Sequence, residues 1–329
     1  AKNNDICIMK KHIGVAMGGY TSEHDISIKS GENVVKLLSK ASFEISKIIV
    51  SKENWIVEYK DEKIKLDLDS FTFHYKKKRI EFDVIFNSIH GSPGENGELQ
   101  LKLKKLNIPF TGVNQKVAKM TYDKFKTLSY LKKFGITVSK NILIKRNQSY
   151  DLKKIIKFVG LPCFVKANKS GSSYGVEKIN FFSEMKKSVE NCFKYDDELI
   201  IEEYIDGTEI SVGMIDYKNE TLVLPPTEII TKKEFFDYDA KYNGLSEEIT
   251  PARINDFKNK QLDKICLKIH QLLRMKGLCR ADFIYKNEKA YFLEINSIPG
   301  LTEESILPKQ IMTAGIKIED IIHDMVISL

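Results

Sequence analysis

Several features that would assign a class directly are absent from these 329 residues. The five cysteines are odd in number, widely spaced and form no CxxC pair, which argues against a disulfide framework and a cysteine-based zinc site. No apolar run reaches the roughly 18 residues of a membrane span. The first residues also lack the uninterrupted apolar stretch of a signal peptide. We therefore expect a cytoplasmic protein with no membrane contact.

Charge of one sign is not concentrated anywhere in the chain. The 52 Lys and Arg residues exceed the 45 Asp and Glu residues by only seven, and the one dense basic run is KKKR at 76–79. A solvated loop explains so short a run better than a nucleic-acid-binding arm does, so we expect no nucleic-acid partner. With 42% hydrophobic residues, the composition is that of an ordinary globular protein of two or three domains.

Strand patterns alternate with helix patterns from the start of the chain. A helix pattern over 27–40 separates the first two predicted strands, and a hairpin-like stretch around Trp55 precedes the third. Another helix, predicted as one long amphipathic element over 114–135, ends at a glycine. This alternation predicts an α/β fold with a mostly parallel sheet and ligands at the carboxyl ends of its strands. The three predicted strands are HIGVAMGG (12–19), FEISKIIVS (43–51) and FDVIFNSIHG (82–91).

Polar side chains interrupt two otherwise apolar strands in RADFIYKNEKAYFLEIN (280–296). Side chains alternate faces along a strand, so a three-residue turn at 287–289 would place Asp282 opposite Glu294 and Arg280 opposite Asn296 on one face. Two carboxylates about 4 Å apart repel by roughly 4 kcal/mol at an effective dielectric near 20, so a cation must compensate them. Arg280 in a salt-bridge cluster could do so. A metal ion could do so as well, because two carboxylates and an amide oxygen suit Mg²⁺.

Three glycine-containing loops have both a modest and a functional interpretation. SGSSYGV (170–176), which follows Lys166, could fold over phosphates with its backbone N–H groups or could be an ordinary turn. IHGSPGENGELQ (89–100) is equally open. GGYTSEHDISIKSG (18–31) places Glu23 before a helix that Asp25 or Ser27 could cap. The chain contains no GxxxxGK[ST] sequence, and no GxGxxG follows the first strand.

Seven motifs occur in an order that closely resembles the D-alanine–D-alanine ligases of the ATP-grasp superfamily. The resemblance covers about residues 13–320. It implies an amino-terminal α/β domain (1–112), a central small ATP-grasp lobe (113–202) and a carboxy-terminal lobe with a lid loop and metal site (203–329). The motifs are GGYTSEHDIS, HGSPGENGELQ, FVKANKSGSSYGV, IIEEYIDGTEIS, FFDYDAKY, GLCRADF and FLEINSIPGLTEES.

The resemblance also implies the reaction and its requirements. ATP would phosphorylate the carboxylate of one D-alanine, and the amine of a second would attack the acyl phosphate, giving D-alanyl-D-alanine for peptidoglycan synthesis. The implied cofactor is Mg²⁺, as two ions, with Mn²⁺ as a substitute. The implied assembly is a homodimer formed through the amino-terminal domain.

Site residues follow from the resemblance position by position. Glu23 would receive the first ammonium group, Ser305 the second carboxylate, and Arg280 with the N–H of Gly300 the oxyanion. Glu23, Ser172 and Tyr242 would lock the loop over the site, and His90 would lie near the substrates. The implied ATP-binding residues are Lys124, Lys166, Glu202, Glu203, Ile205, Glu209, Phe235 and Lys241, and the implied metal ligands are Asp282, Glu294 and Asn296.

A polar stretch over 231–250, which contains FFDYDAKY, is predicted to be a mobile lid that excludes water from the acyl phosphate. A ligase that takes D-lactate or D-serine as second substrate is the nearest alternative, and Tyr242 favours D-alanine. A glutathione-synthetase-like ligase fits GGYTSEHDIS and the lid tyrosine poorly. A non-catalytic ATP-binding scaffold is disfavoured because all four polar hairpin residues are present.

Overall fold

The fold is taken from a computed structural model, which describes residues 10–171, 175–231 and 246–329. Within these ranges the strands form three sheets of five, four and six strands and one small two-stranded ribbon. None of the helices in the described ranges is long and apolar enough to cross a membrane.

The first sheet has the order β4-β3-β2-β1-β7, and β1 pairs in parallel with both β2 and β7. The carboxyl ends of β1 and β7 therefore lie side by side at one edge, and Glu23 and His90 follow them. The predicted parallel arrangement is correct for these three strands, whereas β3 and β4 are antiparallel additions. The elements are β1 (His12–Gly18), α1 (His24–Leu38), β2 (Glu44–Val50), β3 (Trp55–Tyr59), β4 (Glu62–Lys65), the ribbon β5 (Phe73–Tyr75) and β6 (Lys78–Ile80), β7 (Val84–Asn87) and α2 (Glu98–Lys105).

The second sheet is antiparallel throughout, in the order β10-β9-β11-β8. The mostly parallel arrangement was predicted for the amino-terminal α/β unit, and the second sheet follows that unit along the chain. The strands of the second sheet are β8 (Asn141–Lys145), β9 (Cys163–Ala167), β10 (Val176–Ile179) and β11 (Glu198–Glu203). The helices of this part of the chain are α3 (Gln115–Tyr122), α4 (Lys124–Lys133), α5 (Leu152–Val159) and α6 (Met185–Cys192), with a 3₁₀ turn at Phe182–Glu184.

The helix predicted over 114–135 is two helices, because the chain is extended at Asp123 (φ −95°, ψ 99°). The Asp123 carboxylate accepts hydrogen bonds from Lys126 N and Asn168 Nδ2, both at 3.0 Å. It thereby caps α4, and a buried aspartate that bonds backbone N–H groups competes with helix continuation. The hydrophobic period runs through the break, so periodicity does not predict it. The break makes Lys124 the first residue of α4.

The third sheet has the order β15-β14-β12-β16-β17, with β13 paired to β12. Its strands are β12 (Thr208–Tyr217), β13 (Glu220–Val223), β14 (Thr227–Thr231), β15 (Ser246–Ile249), β16 (Leu278–Lys286) and β17 (Lys289–Asn296). The accompanying helices are α7 (Asp256–Leu273), α8 (Ile306–Thr313) and α9 (Ile318–Ile327). The stretch predicted as a lid over 231–250 therefore includes strand β15, and its residues 232–245 lie outside the described ranges.

The hairpin β16–β17 reaches its predicted register by a different route. Lys286 pairs with Lys289, so the turn has two residues, 287 and 288, both with positive φ, instead of the predicted three. A bulge after Asp282 adds one residue, Leu293, to β17. Turn and bulge together restore the predicted pairing of Asp282 with Glu294 and of Arg280 with Asn296.

Two cores hold the sheets together. One contains residues of α3, α4 and α7 packed on β12, β16 and β17, including the fully buried pair Phe283 and Phe292. The other joins β1 and β7 of the first sheet to α8 and α9 near the end of the chain, for example through Val15, Leu307 and Val326. The boundaries 1–112, 113–202 and 203–329 remain predictions.

Truncation of Phe292 tests how far the hairpin depends on this core. Phe292 is fully buried and makes an edge-to-face contact with Phe283 at 5.8 Å between ring centroids. We expect Phe292→Ala to lower the free energy of unfolding by about 3–5 kcal/mol, measured by chemical denaturation. The exposed Phe257 provides the control, and an equal effect of Phe257→Ala would contradict the prediction.

Candidate active site

Two adjoining cavities occupy the region where the three sheets approach one another. The first, of about 390 Å³, is lined by Glu23, His90, Arg280, Gly300 and Ser305 among others. The second, of about 430 Å³, is bordered by β9, β11, β12 and β16. Among the described residues, four line both cavities and so mark their junction: Lys124, Ser170, Gly171 and Glu294.

The polar face of the β16–β17 hairpin lies at this junction. Arg280 donates from Nε to Asp282 Oδ1 and from Nη2 to Asp282 Oδ2, both at 3.0 Å, and Ser211 Oγ also donates to the buried Asp282 carboxylate. Arg280 and Asn296 line the first cavity and Asp282 the second. Arg280, one of the two compensating cations that the sequence suggested, pairs with Asp282.

Lys124 and Lys166 supply positive charge at the junction and in the second cavity. Lys124 Nζ lies 3.4 Å from Glu294 Oε2 and donates to Ser170 O at 2.6 Å. Lys166 Nζ donates to Glu202 Oε2 at 2.6 Å. Burial alone would lower the pKa of Lys166, but the Glu202 carboxylate outweighs it, so the pKa is raised and the ammonium group stays charged.

The predicted nucleotide residues lie around the second cavity. Glu202, Glu203, Ile205 and Glu209 all line it, together with Lys166. Ser139 Oγ donates to the Glu202 carboxylate and so helps to hold it in place. Four other predicted site residues lie outside the described ranges: Ser172, Phe235, Lys241 and Tyr242.

His90 links three segments around the first cavity. Its Nδ1 lies 2.9 Å from Ile298 O and its Nε2 lies 3.2 Å from Ser30 Oγ, while Leu301 N donates to the same Ser30 hydroxyl at 3.1 Å. Burial lowers the pKa of His90, which favours the neutral imidazole. The histidine thereby joins helix α1 to the loop that carries Gly300.

Glu23 lies close to Gly171, and Gly300 lies close to Ser305. A Cβ added at Gly171 would lie 2.4 Å from Glu23 Oε2, and one added at Gly300 would lie 2.7 Å from Ser305 Oγ. A larger side chain at either position would require the Glu23 or the Ser305 side chain to move. The alternative in which Asp25 or Ser27 caps α1 is wrong, because the helix begins after Glu23 without a side-chain cap. Ser27 Oγ bonds Gly18 N and Ser88 O instead.

Sequence reasoning assigned no role to Glu95, Tyr122, Ser170 or Glu248, all of which line the first cavity. Glu95 accepts a hydrogen bond from Gly91 N at 2.7 Å. Burial, reinforced by the charge of Glu23, raises the pKa of Glu95 to about 8. Glu95 could have been found from the sequence, because it lies in a loop with three glycines directly after a strand. No sequence pattern pointed to Tyr122 or Glu248.

Solved structures place this architecture in a known class. The structure of D-alanyl-alanine synthetase A from Vibrio cholerae matches with a TM-score of 0.88 at 24% identity, covering 97% of this chain and 98% of that one. The VanG D-Ala:D-Ser ligase of Enterococcus faecalis matches with a TM-score of 0.86 at 27% identity, covering 97% of this chain and 99% of that one. The ATP complex of the Bacillus anthracis D-alanine–D-alanine ligase matches at 0.77 with 28% identity, covering 96% of each chain. The predicted ATP-grasp fold is thereby confirmed, and the class is that of the ATP-grasp ligases.

Sequence comparisons narrow the class to a family. The family models described as "D-ala D-ala ligase N-terminus" and "D-ala D-ala ligase C-terminus" match residues 12–113 and 130–327. The D-alanine–D-alanine ligase of Christiangramia forsetii is 44% identical over 95% of this chain and 96% of its own length. The D-alanine–D-alanine ligase of Flavobacterium johnsoniae is 41% identical over 94% of this chain and 97% of its own length. The chain belongs to the D-alanine–D-alanine ligase family.

The raised pKa of Glu95 predicts a pH-dependent stability. A carboxyl group whose pKa rises from its ordinary value near 4.5 to about 8 on folding binds its proton more tightly in the folded state. The stability that depends on this proton is therefore lost as the pH rises through that window. We expect Glu95→Gln to be more stable than the unsubstituted protein, by a margin that grows between about pH 5 and pH 8.

Chemical denaturation of the ligand-free proteins at several pH values measures this margin. The exposed Glu62 offers the control, since Glu62→Gln leaves the first cavity untouched. A margin that stays constant with pH would show that Glu95 is ionised in both states.

Proposed function

We propose that this chain carries out its family's reaction, the ATP-dependent joining of two D-alanine molecules into D-alanyl-D-alanine for peptidoglycan synthesis, with the residues assigned below. The observation that carries the assignment is the junction of the two cavities at Lys124, Ser170, Gly171 and Glu294. A phosphoryl donor in one cavity and an acceptor in the other would meet at this point. The junction offers both the cationic and the carboxylate groups that phosphoryl transfer needs.

The first cavity would hold the two amino acids. Glu23, which lies beside Gly171, would receive the ammonium group of the first D-alanine. Ser305, directly before α8, would receive the carboxylate of the second, where the amino end of a helix favours an anion. Arg280 and the N–H of Gly300 would stabilise the oxyanion that forms between them.

The second cavity would hold ATP. Glu202, Glu203 and Ile205 would line the adenine, and Glu209 would bond the ribose. Lys124 and Lys166 would neutralise the phosphates, with Lys166 kept charged by its carboxylate neighbours. Phe235 and Lys241, from the part of the chain outside the described ranges, would complete the site over the ring and the phosphates.

Asp282, Glu294 and Asn296 suit Mg²⁺ in the chemistry of their donor atoms. The described residues contain no group of three or more His, Cys, Asp and Glu side chains placed to hold a metal, so the amide oxygen of Asn296 would have to complete the set. Asn296 Oδ1 is oriented by a hydrogen bond from Ile298 N at 3.1 Å. The Mg²⁺ ions, or Mn²⁺ in their place, would neutralise phosphate oxygens.

The reaction would proceed in two steps at the junction. In the first, the carboxylate of the first D-alanine attacks the γ-phosphorus and ADP leaves, which gives an acyl phosphate. In the second, the amine of the second D-alanine attacks the acyl carbon, and the resulting tetrahedral oxyanion collapses with loss of phosphate and of the amine proton. The protein contributes position and charge stabilisation, and the lid predicted over 231–250, with the trio Glu23, Ser172 and Tyr242, would exclude water.

Three further assignments accompany this proposal. The chain would work in the cytoplasm, where ATP and D-alanine are available together. It would form a homodimer through its amino-terminal domain. Its three domains would span 1–112, 113–202 and 203–329.

Phosphate release tests the proposed reaction. We expect the protein with Mg·ATP to release phosphate when D-alanine is added and not when L-alanine is added, with D-alanyl-D-alanine identified by mass. Parallel reactions with D-serine or D-lactate beside D-alanine test the alternative second substrates. ATP binding without D-alanine-dependent phosphate release would leave a nucleotide-binding protein and reject the ligase.

Glu294→Gln tests the metal assignment. We expect the Mg²⁺ concentration needed for half-maximal activity to rise by roughly 10–100-fold, because a neutral amide is a weaker ligand than a carboxylate. Glu288→Gln, an exposed substitution in the turn of the same hairpin, is the matched control and should leave this concentration unchanged. An unchanged Mg²⁺ dependence in Glu294→Gln would remove Glu294 from the ligand set.

A further inference from the structure

The first cavity contains a carboxylate that none of the roles above uses. Glu248 lies on β15 opposite Ile229 of β14, and it lines the cavity together with Ser305 and Ile306. Its neighbour Glu247 is exposed, because successive side chains of a strand point to opposite faces. The strand therefore directs one of two adjacent glutamates into the substrate cavity.

One oxygen of this carboxylate is already engaged. Lys309 Nζ lies 3.1 Å from Glu248 Oε2, and both side chains are largely shielded, with 34% and 17% of their surfaces exposed. Lys309 is four residues after Ser305, so the two lie on the same face of α8, one turn apart. The ion pair thus holds Glu248 beside the amino end of α8.

The other oxygen, Oε1, makes no hydrogen bond with any residue in the ranges that the structure describes. A carboxylate oxygen in a half-open cavity is an acceptor for a cationic ligand group. Glu23 is already proposed for the first ammonium group, and Arg280 holds Asp282. Glu304 also lines this cavity beside Ser305, but it is exposed, whereas Glu248 is partly buried and held by Lys309.

We propose that Glu248 binds the α-ammonium group of the second D-amino acid and thereby selects an amino acid over a 2-hydroxy acid. This inference rests on the proposed function, since Ser305 must hold the carboxylate of that same molecule. The ammonium group loses its water on entering the cavity, and a charged acceptor compensates that loss. D-lactate has a neutral hydroxyl in the same place and gains less from a carboxylate.

Lys309 acts on the two substrates only through Glu248. Its Nζ lies 3.1 Å from Glu248 Oε2, and it is not among the described residues that line the first cavity, so D-alanine and D-lactate would not meet it directly. Glu248 faces the group in which they differ. Substitutions at the two ends of one ion pair therefore separate recognition of the substrate from simple stabilisation of the fold.

The experiment measures how the enzyme partitions D-alanine and D-lactate at its second site. Phosphate release confirms turnover, and mass spectrometry gives the ratio of dipeptide to depsipeptide from a mixture of the two. We expect Glu248→Gln to raise the KM for the second D-alanine and to lower the product ratio by roughly tenfold, about 1.4 kcal/mol, as loss of a charge-assisted hydrogen bond implies. Glu248→Asp keeps the charge and is expected to retain most of the preference.

Two controls fix the interpretation. Glu247→Gln, on the other face of the strand, should leave the ratio unchanged. Lys309→Gln removes the contact that holds Glu248 in place and should lower the ratio by less than Glu248→Gln does. An unchanged ratio in Glu248→Gln, or an equal shift in Lys309→Gln, would overturn the role of Glu248 and leave the pair as a structural contact. Absence of D-alanine-dependent phosphate release in the unsubstituted enzyme would instead overturn the proposed function, and this inference with it.

Discussion

The bulge in β17 is the constraint on which the arrangement of the site depends. Phe292 faces the core and Glu294 faces the cavities, although strict alternation would put residues two apart on the same side. The extra residue at Leu293 reverses the alternation once. The hairpin can therefore bury Phe292 against Phe283 and still present its carboxylates to the cavities. A regular hairpin would have to give up one of these two faces.

The charges that this hairpin presents are balanced by residues from distant parts of the chain. Arg280 and Ser211 engage Asp282, and Lys124 approaches Glu294 from the start of α4. Lys124 has this position because the helix is interrupted at Asp123, whose carboxylate accepts a hydrogen bond from Asn168. The helix break, the glycine loop and the hairpin thus form one connected set. Asp282 and Glu294 thus each have a partner of opposite sign, which offsets the cost of taking these charges out of water.

Hydrogen bonds around His90 connect the amino-terminal sheet to the loop that carries Gly300. Its ring bonds Ser30 of α1 and the carbonyl of Ile298, and Leu301 N bonds Ser30 as well. The loop that holds Gly300 is therefore fixed by the first sheet, while the hairpin before it is fixed by the third. The first cavity, with walls from distant parts of the chain, depends on these few hydrogen bonds.

The sequence by itself determined the periodic elements, the polar face of the hairpin and, through seven motifs in order, the family. The strands of the first sheet were predictable because they depend on local composition. The predicted pairing of Asp282 with Glu294 is present, but it depends on a turn and a bulge that alternation did not predict. Only the tertiary structure decided the break at Asp123, the two-residue turn with its bulge, the antiparallel second sheet and the entry of Glu95, Tyr122 and Glu248 into the first cavity. These features depend on partners far away in sequence, such as Asn168 for Asp123 and Lys309 for Glu248. No pattern within a single segment records such partners, because the free energy that selects them arises only when the segments meet.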